Sequence, residues 1–223
     1  MGLFWKKEEQ QFRIYIWKTD EGVEALLPLS NLSADETARL NSFQSSFRKK
    51  EWLCTRIMLS RMMGEGAAIV YDEFGKPHLQ PLINQINMIN QRPQINQWSI
   101  SVSHTKDFVA VLVANAPVAG VDIERISPRI DKIATKFLSS AEQERTPLIN
   151  QRPYYYIIWG AKEVLFKIYG RGELLFKEHL LTEPFALNDS GTLTGNIKKG
   201  TVSKTFQISY LFMADLLLTY STG

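Results

Sequence analysis

Cysteine and long hydrophobic segments are what this sequence has least of. Its 223 residues include a single cysteine, Cys54, so the chain can form neither an intramolecular disulfide nor a zinc site of clustered cysteines. Disulfides belong to oxidising compartments, and we therefore expect a reducing, cytoplasmic one. Cys54 follows Trp52 and Leu53 in a helical pattern, which is typical of a packed residue rather than a nucleophile.

The hydrophobic runs are too short or too polar for a membrane span, which takes about 20 apolar residues in a helix. The two most apolar runs cover 108–121 and 210–220. The first residues, MGLFWKKEEQQ, hold an apolar patch that is too short for a signal-peptide core, so we expect a soluble protein. A net charge of +3 suits a phosphorylated ligand or an acidic partner protein, but not a dedicated nucleic-acid binder.

Strand and helix patterns are mixed along the whole chain. The runs 98–104 and 108–114 predict a hairpin whose second strand is buried on both faces. A stretch with helical patterns follows, and 187–200 is predicted to be rich in turns before the last strands. This mixture predicts an α+β fold, whose two halves we place at 1–118 and 119–223.

An Ile-Asn-Gln tract interrupts this order. It covers 81–97, and its fragments recur at 147–153 as PLINQRP. Such short exact repeats are unlike the longer units of a solenoid, so we interpret both as Asn/Gln-rich surface insertions.

Asp122 and Glu124 stand two residues apart in a predicted strand, so their carboxylates project from the same face. Two adjacent carboxylates repel each other and need a cation or open water. A hard cation such as Mg²⁺ meets that need with oxygen ligands. The alternative is a solvated strand end, where the two acids pair with Arg125 or Arg129.

The stretch WGAKEVLFKIYG, 159–170, predicts a helix with an apolar stripe on one face. Trp159, Lys162, Glu163, Phe166 and Lys167 occupy the other face. The simplest interpretation is a solvated face with a Glu163 to Lys167 pair, worth about a few tenths of a kcal/mol. The Ser-Ser-Ala-Glu run upstream predicts a capping box.

Ser103 and His104 are neighbours in a predicted strand and point to opposite faces, so they cannot readily act together as nucleophile and base. No Gly-x-Ser-x-Gly elbow supports a hydrolase either. His104 is therefore a structural histidine or a donor to a phosphate. Both interpretations stay open from these residues alone.

Two sets of cations complete the candidates. Gly75-Lys76-Pro77 places a lysine on a tight turn, although the spacing of a Walker loop is missing. Arg48 and Arg56 fall on roughly the same face of one helix, where a solvated basic face is the alternative.

The order of these motifs is more specific than any one of them. FRKKEWLCTR, DEFGKPHL, SVSHT, GVDIER, KFLSSAE and WGAKEVLFK follow one another along the chain. Together they resemble the 4′-phosphopantetheinyl transferase superfamily, in its surfactin-synthetase-activating, two-fold-repeated type. The resemblance covers about 40–80 and 98–175. It implies a pseudo-dimer of two similar α+β halves with the cofactor between them, and a monomeric enzyme.

The resemblance also implies a reaction. Members move the phosphopantetheine arm of coenzyme A onto a serine of an acyl or peptidyl carrier protein and release adenosine 3′,5′-bisphosphate. By motif position, Mg²⁺ would be held by Asp122, Glu124 and Glu163. Glu163, directly or through a water, would be the general base, and the catalytic set would be completed by Lys167 and His104.

Coenzyme A itself would contact a further set of residues by the same resemblance. Arg56, together with Arg48, would bind the 3′-phosphate, and the other phosphates would be bound by His104, Lys76 and Lys167. The same pocket would be lined by Gly75, Pro77 and Ser103, with Lys162 nearby. Thr105 departs from the family, which usually has a second serine there. The competing hypothesis is a coenzyme A binding protein without transferase activity.

Overall fold

The computed structural model describes residues 2–80 and 98–223. The first Asn/Gln-rich insertion, 81–97, lies outside the described residues. The chain divides into two compact units, one formed by Met1–Asp72 and Pro77–Pro117, the other by Glu73–Lys76 and Val118–Gly223. Both units mix helices with antiparallel strands, which confirms the predicted α+β class.

The first unit contains a four-stranded antiparallel sheet in the order β1-β2-β6-β5 and a separate hairpin, β3-β4. Its strands are β1 Leu3–Glu8, β2 Phe12–Lys18, β3 Ala68–Tyr71, β4 Pro77–Gln80, β5 Trp98–Thr105 and β6 Phe108–Asn115. Its helices are α1 Val23–Leu26, α2 Ala34–Ser42 and α3 Ser46–Met63, with a 3-10 turn at Leu27–Leu29.

Strand β6 is the centre of the first unit's sheet. It pairs with β2 on one side and β5 on the other, and its side chains from Phe108 to Ala114 are all buried. Helix α3 packs against it, and the buried residues of both form one core that includes Val111, Leu53 and Ile57. The predicted hairpin with a fully buried second strand is therefore confirmed.

The second unit is a five-stranded antiparallel sheet in the order β7-β11-β10-β9-β8. Its strands are β7 Gly120–Arg125, β8 Leu180–Thr182, β9 Ser190–Lys199, β10 Val202–Met213 and β11 Leu216–Ser221. Its helices are α4 Ala134–Phe137, α5 Ser140–Glu144, α6 Gln151–Tyr169 and α7 Phe176–His179, with a 3-10 turn at Pro128–Lys132. Among the described residues, no helix is both long and apolar enough to cross a bilayer.

The prediction of a turn-rich stretch at 187–200 is wrong, because most of it is the ten-residue strand β9. Its glycines and polar residues have weak strand propensity, but β9 pairs with β10 on one edge and β8 on the other. Leu193 and Ile197 enter the core, and Gly195 lets the side chains of Ile208 and Leu165 approach. Tertiary pairing has overridden local preference.

Helix α6 lies close against the sheet. Its apolar stripe is fully buried, as predicted, and includes Ile157, Ala161, Val164 and Leu165. A Cβ added at Gly160 would come within 2.5 Å of Thr219 Oγ1 on β11, so only glycine permits this approach. The close packing on β7 and β11 holds the polar residues of α6 beside the acidic residues of β7.

The second insertion, 147–153, is only partly a surface loop. Leu148 and Ile149 are exposed, but residues 151–153 form the first turn of α6. Arg152 there is ion-paired with Asp131, with 2.7 Å between Nη2 and Oδ2.

Candidate functional site

Three carboxyl groups of the second unit interact beside the β7 to α6 contact. Asp122 is 4% exposed on β7, Glu124 follows it on the same face, and Glu163 is half-buried on α6. Burial, together with the charges of Asp122 and Glu124, raises the pKa of Glu163 to about 7. Burial, and then the charge of Asp122, likewise raises the pKa of Glu124 to about 7. The three groups therefore share one electrostatic environment in which negative charge is costly.

Lys167 partly neutralises this cluster. Its Nζ donates to Asp122 Oδ1 and to the Val121 carbonyl, each at 2.8 Å. The lysine charge also lowers the pKa of Glu163, although its hydrogen bonds go to β7 rather than to the i,i+4 partner expected from the sequence. The charge of Arg129 also acts on Glu124 and lowers its pKa. Arg125 pairs with Asp215, with 3.1 Å between Nε and Oδ2.

Trp159 is a member of the cluster that sequence reasoning did not assign. Its indole Nε1 donates to Glu124 Oε1 at 2.8 Å, and this hydrogen bond lowers the pKa of Glu124. Trp159, Glu163 and Lys167 stand four residues apart on α6, so the same helix face carries all three. That spacing is the signal that could have identified the tryptophan.

The donor chemistry of the cluster fits a hard cation. Carboxylate oxygens are the ligands that Mg²⁺ prefers, and a dication would offset both the burial of these negative charges and their mutual repulsion. In this structure Asp122 accepts from Lys167 and Glu124 from Trp159. Across residues 2–80 and 98–223, no three Asp, Glu, His or Cys side chains converge closely enough to enclose a metal ion. The three carboxylates thus fit Mg²⁺ by type, without forming a closed ligand shell.

Lys162 is not placed to bind coenzyme A, contrary to the prediction. Its side chain is 0% exposed and lies on the buried side of α6 rather than on the solvent-exposed face. Its Nζ donates to Glu142 Oε2, to Phe137 O and to Phe176 O, at 2.7, 2.7 and 2.9 Å. A lysine has three N–H donors, so none is left for a phosphate.

The predicted lysine turn lies at the C-terminus of α6. Gly75 has a φ of +79°, a conformation that favours glycine, and Pro77 begins β4. Lys76 Nζ donates to the Ile168 carbonyl at 3.0 Å, where a cation complements the helix dipole. This position neither assigns nor removes a ligand contact for Lys76, which stays a prediction.

In the first unit, the Ser103-His104 pair divides between the two faces of β5 as predicted. Ser103 is 6% exposed, whereas the His104 side chain is 51% exposed. His104 Nε2 lies 3.5 Å from Oε1 of the buried Glu51. Burial raises the pKa of Glu51.

Arg56 and Arg48 differ in environment although they share helix α3. Arg56 is 9% exposed, its guanidinium stacks 3.5 Å from the centroid of the Trp52 ring, and its Nε lies 3.3 Å from Glu36 Oε1. Its buried Nη1 has no hydrogen-bond partner within the described part of the chain. Arg48 is exposed and lies over the Phe43 ring at 5.7 Å. Arg56 therefore presents a donor that an anion could satisfy.

The acidic cluster lies in a part of the chain that matches a known protein family. Residues 119–220 match the model of the 4′-phosphopantetheinyl transferase superfamily, and this segment contains Asp122, Glu124, Glu163 and Lys167. The chain is 37% identical over 82 residues to the 4′-phosphopantetheinyl transferase psf-1 of Bacillus pumilus, a match covering 35% of each chain. It is 30% identical over 149 residues to the 4′-phosphopantetheinyl transferase AcpT of Salmonella typhi, covering 62% of this chain and 69% of that one.

The chain belongs to the 4′-phosphopantetheinyl transferase superfamily. The matched segments vary in extent: against AcpT of Escherichia coli strain K12, 28% identity extends over 125 residues, or 57% of that protein's length. The chain thus spans about a third to somewhat more than half of the first curated relatives it matches.

Proposed function

We propose that this protein transfers the 4′-phosphopantetheine arm of coenzyme A to a serine of an acyl or peptidyl carrier protein, releasing adenosine 3′,5′-bisphosphate in a Mg²⁺-dependent reaction. The observation that carries the proposal is the acidic cluster of β7 and α6 with its lysine, which lies inside the segment matched by the family model. Relatives named as 4′-phosphopantetheinyl transferases support it.

Asp122, Glu124 and Glu163 would hold Mg²⁺, which would supply positive charge to the pyrophosphate of coenzyme A. Lys167, which lies 2.8 Å from Asp122, would donate to the phosphates and stabilise the negative charge that develops on the leaving group. Glu163 would accept the proton of the attacking serine, directly or through a water. The route through a water is the better one, because a carboxylate that is bound to a metal ion is a weak base.

Coenzyme A would be bound mainly by cations. Arg56 would take the 3′-phosphate with its unused Nη1, and the exposed Arg48 would assist it. His104 and Lys76 would contact the remaining phosphates, beside a lining contributed by Ser103, Gly75 and Pro77. We exclude Lys162 from this set because its donors are used inside the protein.

We also infer that the two units are variants of one α+β half. Each contains one long helix, α3 with 18 residues and α6 with 19. Each long helix packs against an antiparallel sheet, α3 on β6 and α6 on β7 and β11. A chain that carries both halves would act as a monomer.

A coenzyme A binding protein without transfer activity is the second candidate. The observation in its favour is that the carboxylates are engaged by Lys167 and Trp159 rather than arranged as a closed ligand shell. Such a protein would bind coenzyme A yet produce no transfer.

Release of adenosine 3′,5′-bisphosphate separates these candidates. The protein is incubated with coenzyme A and Mg²⁺, with an apo carrier protein, with the carrier's serine-to-alanine variant, or with no carrier. A transferase releases the bisphosphate only with the intact serine. Release without a carrier would indicate a hydrolase, and no release despite coenzyme A binding would favour the binding protein.

A further inference from the structure

Lys162 and Glu142 form a buried ion pair in the second unit, and the hydrogen-bonding capacity of the lysine is fully used. Both residues are 0% exposed. Besides the three bonds of Lys162 described above, Glu142 accepts from Ser139 N at 2.8 Å and from Thr182 N and Oγ1 at 2.9 and 2.8 Å. Because Lys162 cannot reach a ligand, any role in the reaction must act through its neighbours.

The two carbonyls that Lys162 holds belong to the residues that pack on Trp159. The Phe137 ring meets Trp159 edge-on at a centroid distance of 5.2 Å, and the Phe176 ring lies tilted at 5.4 Å. Trp159 in turn donates to Glu124 at 2.8 Å. A continuous chain of contacts therefore connects the buried pair to the acidic cluster.

The elements that carry the two phenylalanines need external support. Phe137 ends α4 and Phe176 begins α7, and each helix is only four residues long. Neither has a side-chain cap, and helices this short are not stable by themselves. The Lys162 ammonium supplies a charged donor to both segments at once, whereas the Glu142 carboxylate holds the ammonium in place.

We propose that the Lys162–Glu142 pair is a positioning device, which fixes Phe137 and Phe176 and, through their rings, the Trp159 indole and its hydrogen bond to Glu124. Only the consequence for metal binding and transfer rests on the proposed function. Lys162 is a positioning residue here and makes no contact with substrate.

The Trp159 indole N–H provides a direct readout, because its proton signal is observable by NMR and can be assigned with W159F. The variant K162M/E142Q removes both charges and keeps side chains of similar length. We expect its indole signal to shift and its N–H to exchange roughly tenfold faster, as local packing loosens. R152Q removes an arginine of the same helix from its exposed pair with Asp131, and should leave both the indole shift and the exchange rate unchanged. An unchanged indole signal in K162M/E142Q would overturn the proposal.

F176L gives an independent test if the double variant does not fold. It keeps the carbonyl that Lys162 holds and removes the ring that packs on Trp159. We expect the same direction of indole change, and an indole insensitive to F176L would contradict the proposed route.

Manganese binding, followed by electron paramagnetic resonance, measures the consequence for the acidic cluster. We expect K162M/E142Q and W159F each to raise the Mn²⁺ Kd about tenfold, the size typical of residues that orient metal ligands. Combining them should add little, because both act through one hydrogen bond. Full additivity would overturn the route through Trp159. A wild-type protein that neither transfers nor binds Mn²⁺ would refute the proposed function instead, while the indole measurement would still decide the positioning role.

Discussion

Lys162→Met should be among the most destabilising single substitutions in the second unit. It would leave the charge of Glu142 uncompensated at a position that is 0% exposed. Breaking a buried pair from one side costs about 3–5 kcal/mol. For a chain of this size, about 1 kcal/mol corresponds to roughly 2–4 °C in Tm, so we expect Tm to fall by roughly 6–20 °C. Urea unfolding and thermal melts measure both quantities.

Two variants control this prediction. K162M/E142Q removes both buried charges and should recover much of the loss, because no ion remains desolvated without a partner. Arg152→Gln breaks an ion pair on the same helix whose two side chains are each 41% exposed, and should cost about 0–1 kcal/mol. Equal losses in K162M and R152Q, or a double variant no more stable than K162M, would refute the argument from burial.

The remaining predictions concern the site. Asp122→Ala should abolish transfer and weaken, without abolishing, coenzyme A binding in calorimetry; unchanged turnover would remove the metal assignment. Arg56→Gln should raise the KM for coenzyme A about tenfold but leave the KM for 3′-dephospho-coenzyme A unchanged. An equal rise in both KM values would contradict binding of the 3′-phosphate by Arg56. Glu124 and Glu163 have pKa values of about 7 when folded, against 4.5 as the ordinary value. Between pH 4.5 and 7 the folded state binds more protons at these two carboxyl groups than the unfolded state does. Their contribution to the stability of the metal-free protein is therefore complete below about pH 4.5 and is lost as the pH rises towards 7. Thermal melts across pH test this, and a profile unchanged in E124Q/E163Q would contradict it.

Much of the fold follows from patterns within the sequence. The uninterrupted apolar run of β6 and the long helical stretch of α3, which ends before Gly64, are both recognisable from the sequence. The capping box expected from Ser-Ser-Ala-Glu is present, with Ser139 Oγ accepting from Glu142 N. Strand β9 could not be predicted in this way, since its two neighbouring strands, rather than its Gly- and Thr-containing sequence, make it a strand.

The site was predictable in its residue types but not in its contacts. The spacing of Asp122 and Glu124 indicated an acidic face, and the structure brings Lys167 to it across 45 residues of sequence. The same helix misled the prediction for Lys162. A charged residue is usually exposed, and only the distant acceptors Glu142, Phe137 and Phe176 make a buried lysine stable.

Trp159 is a second residue whose contacts could not be predicted from the sequence. An aromatic residue on a helix is usually read as packing, and Trp159 does pack on Phe137 and Phe176. Its second property, an N–H directed at Glu124, depends on the placement of α6 over β7. That placement depends on contacts such as that of Gly160 with Thr219, and such contacts cannot be predicted from the local sequence.

The intact mass of an apo carrier protein tests the central claim most directly. The carrier is incubated with this protein and coenzyme A, with Mg²⁺ in one reaction and EDTA in the other. We expect a gain of one phosphopantetheine unit with Mg²⁺ and none with EDTA. No gain across several apo carriers, from protein that binds coenzyme A, would contradict the assignment as a transferase.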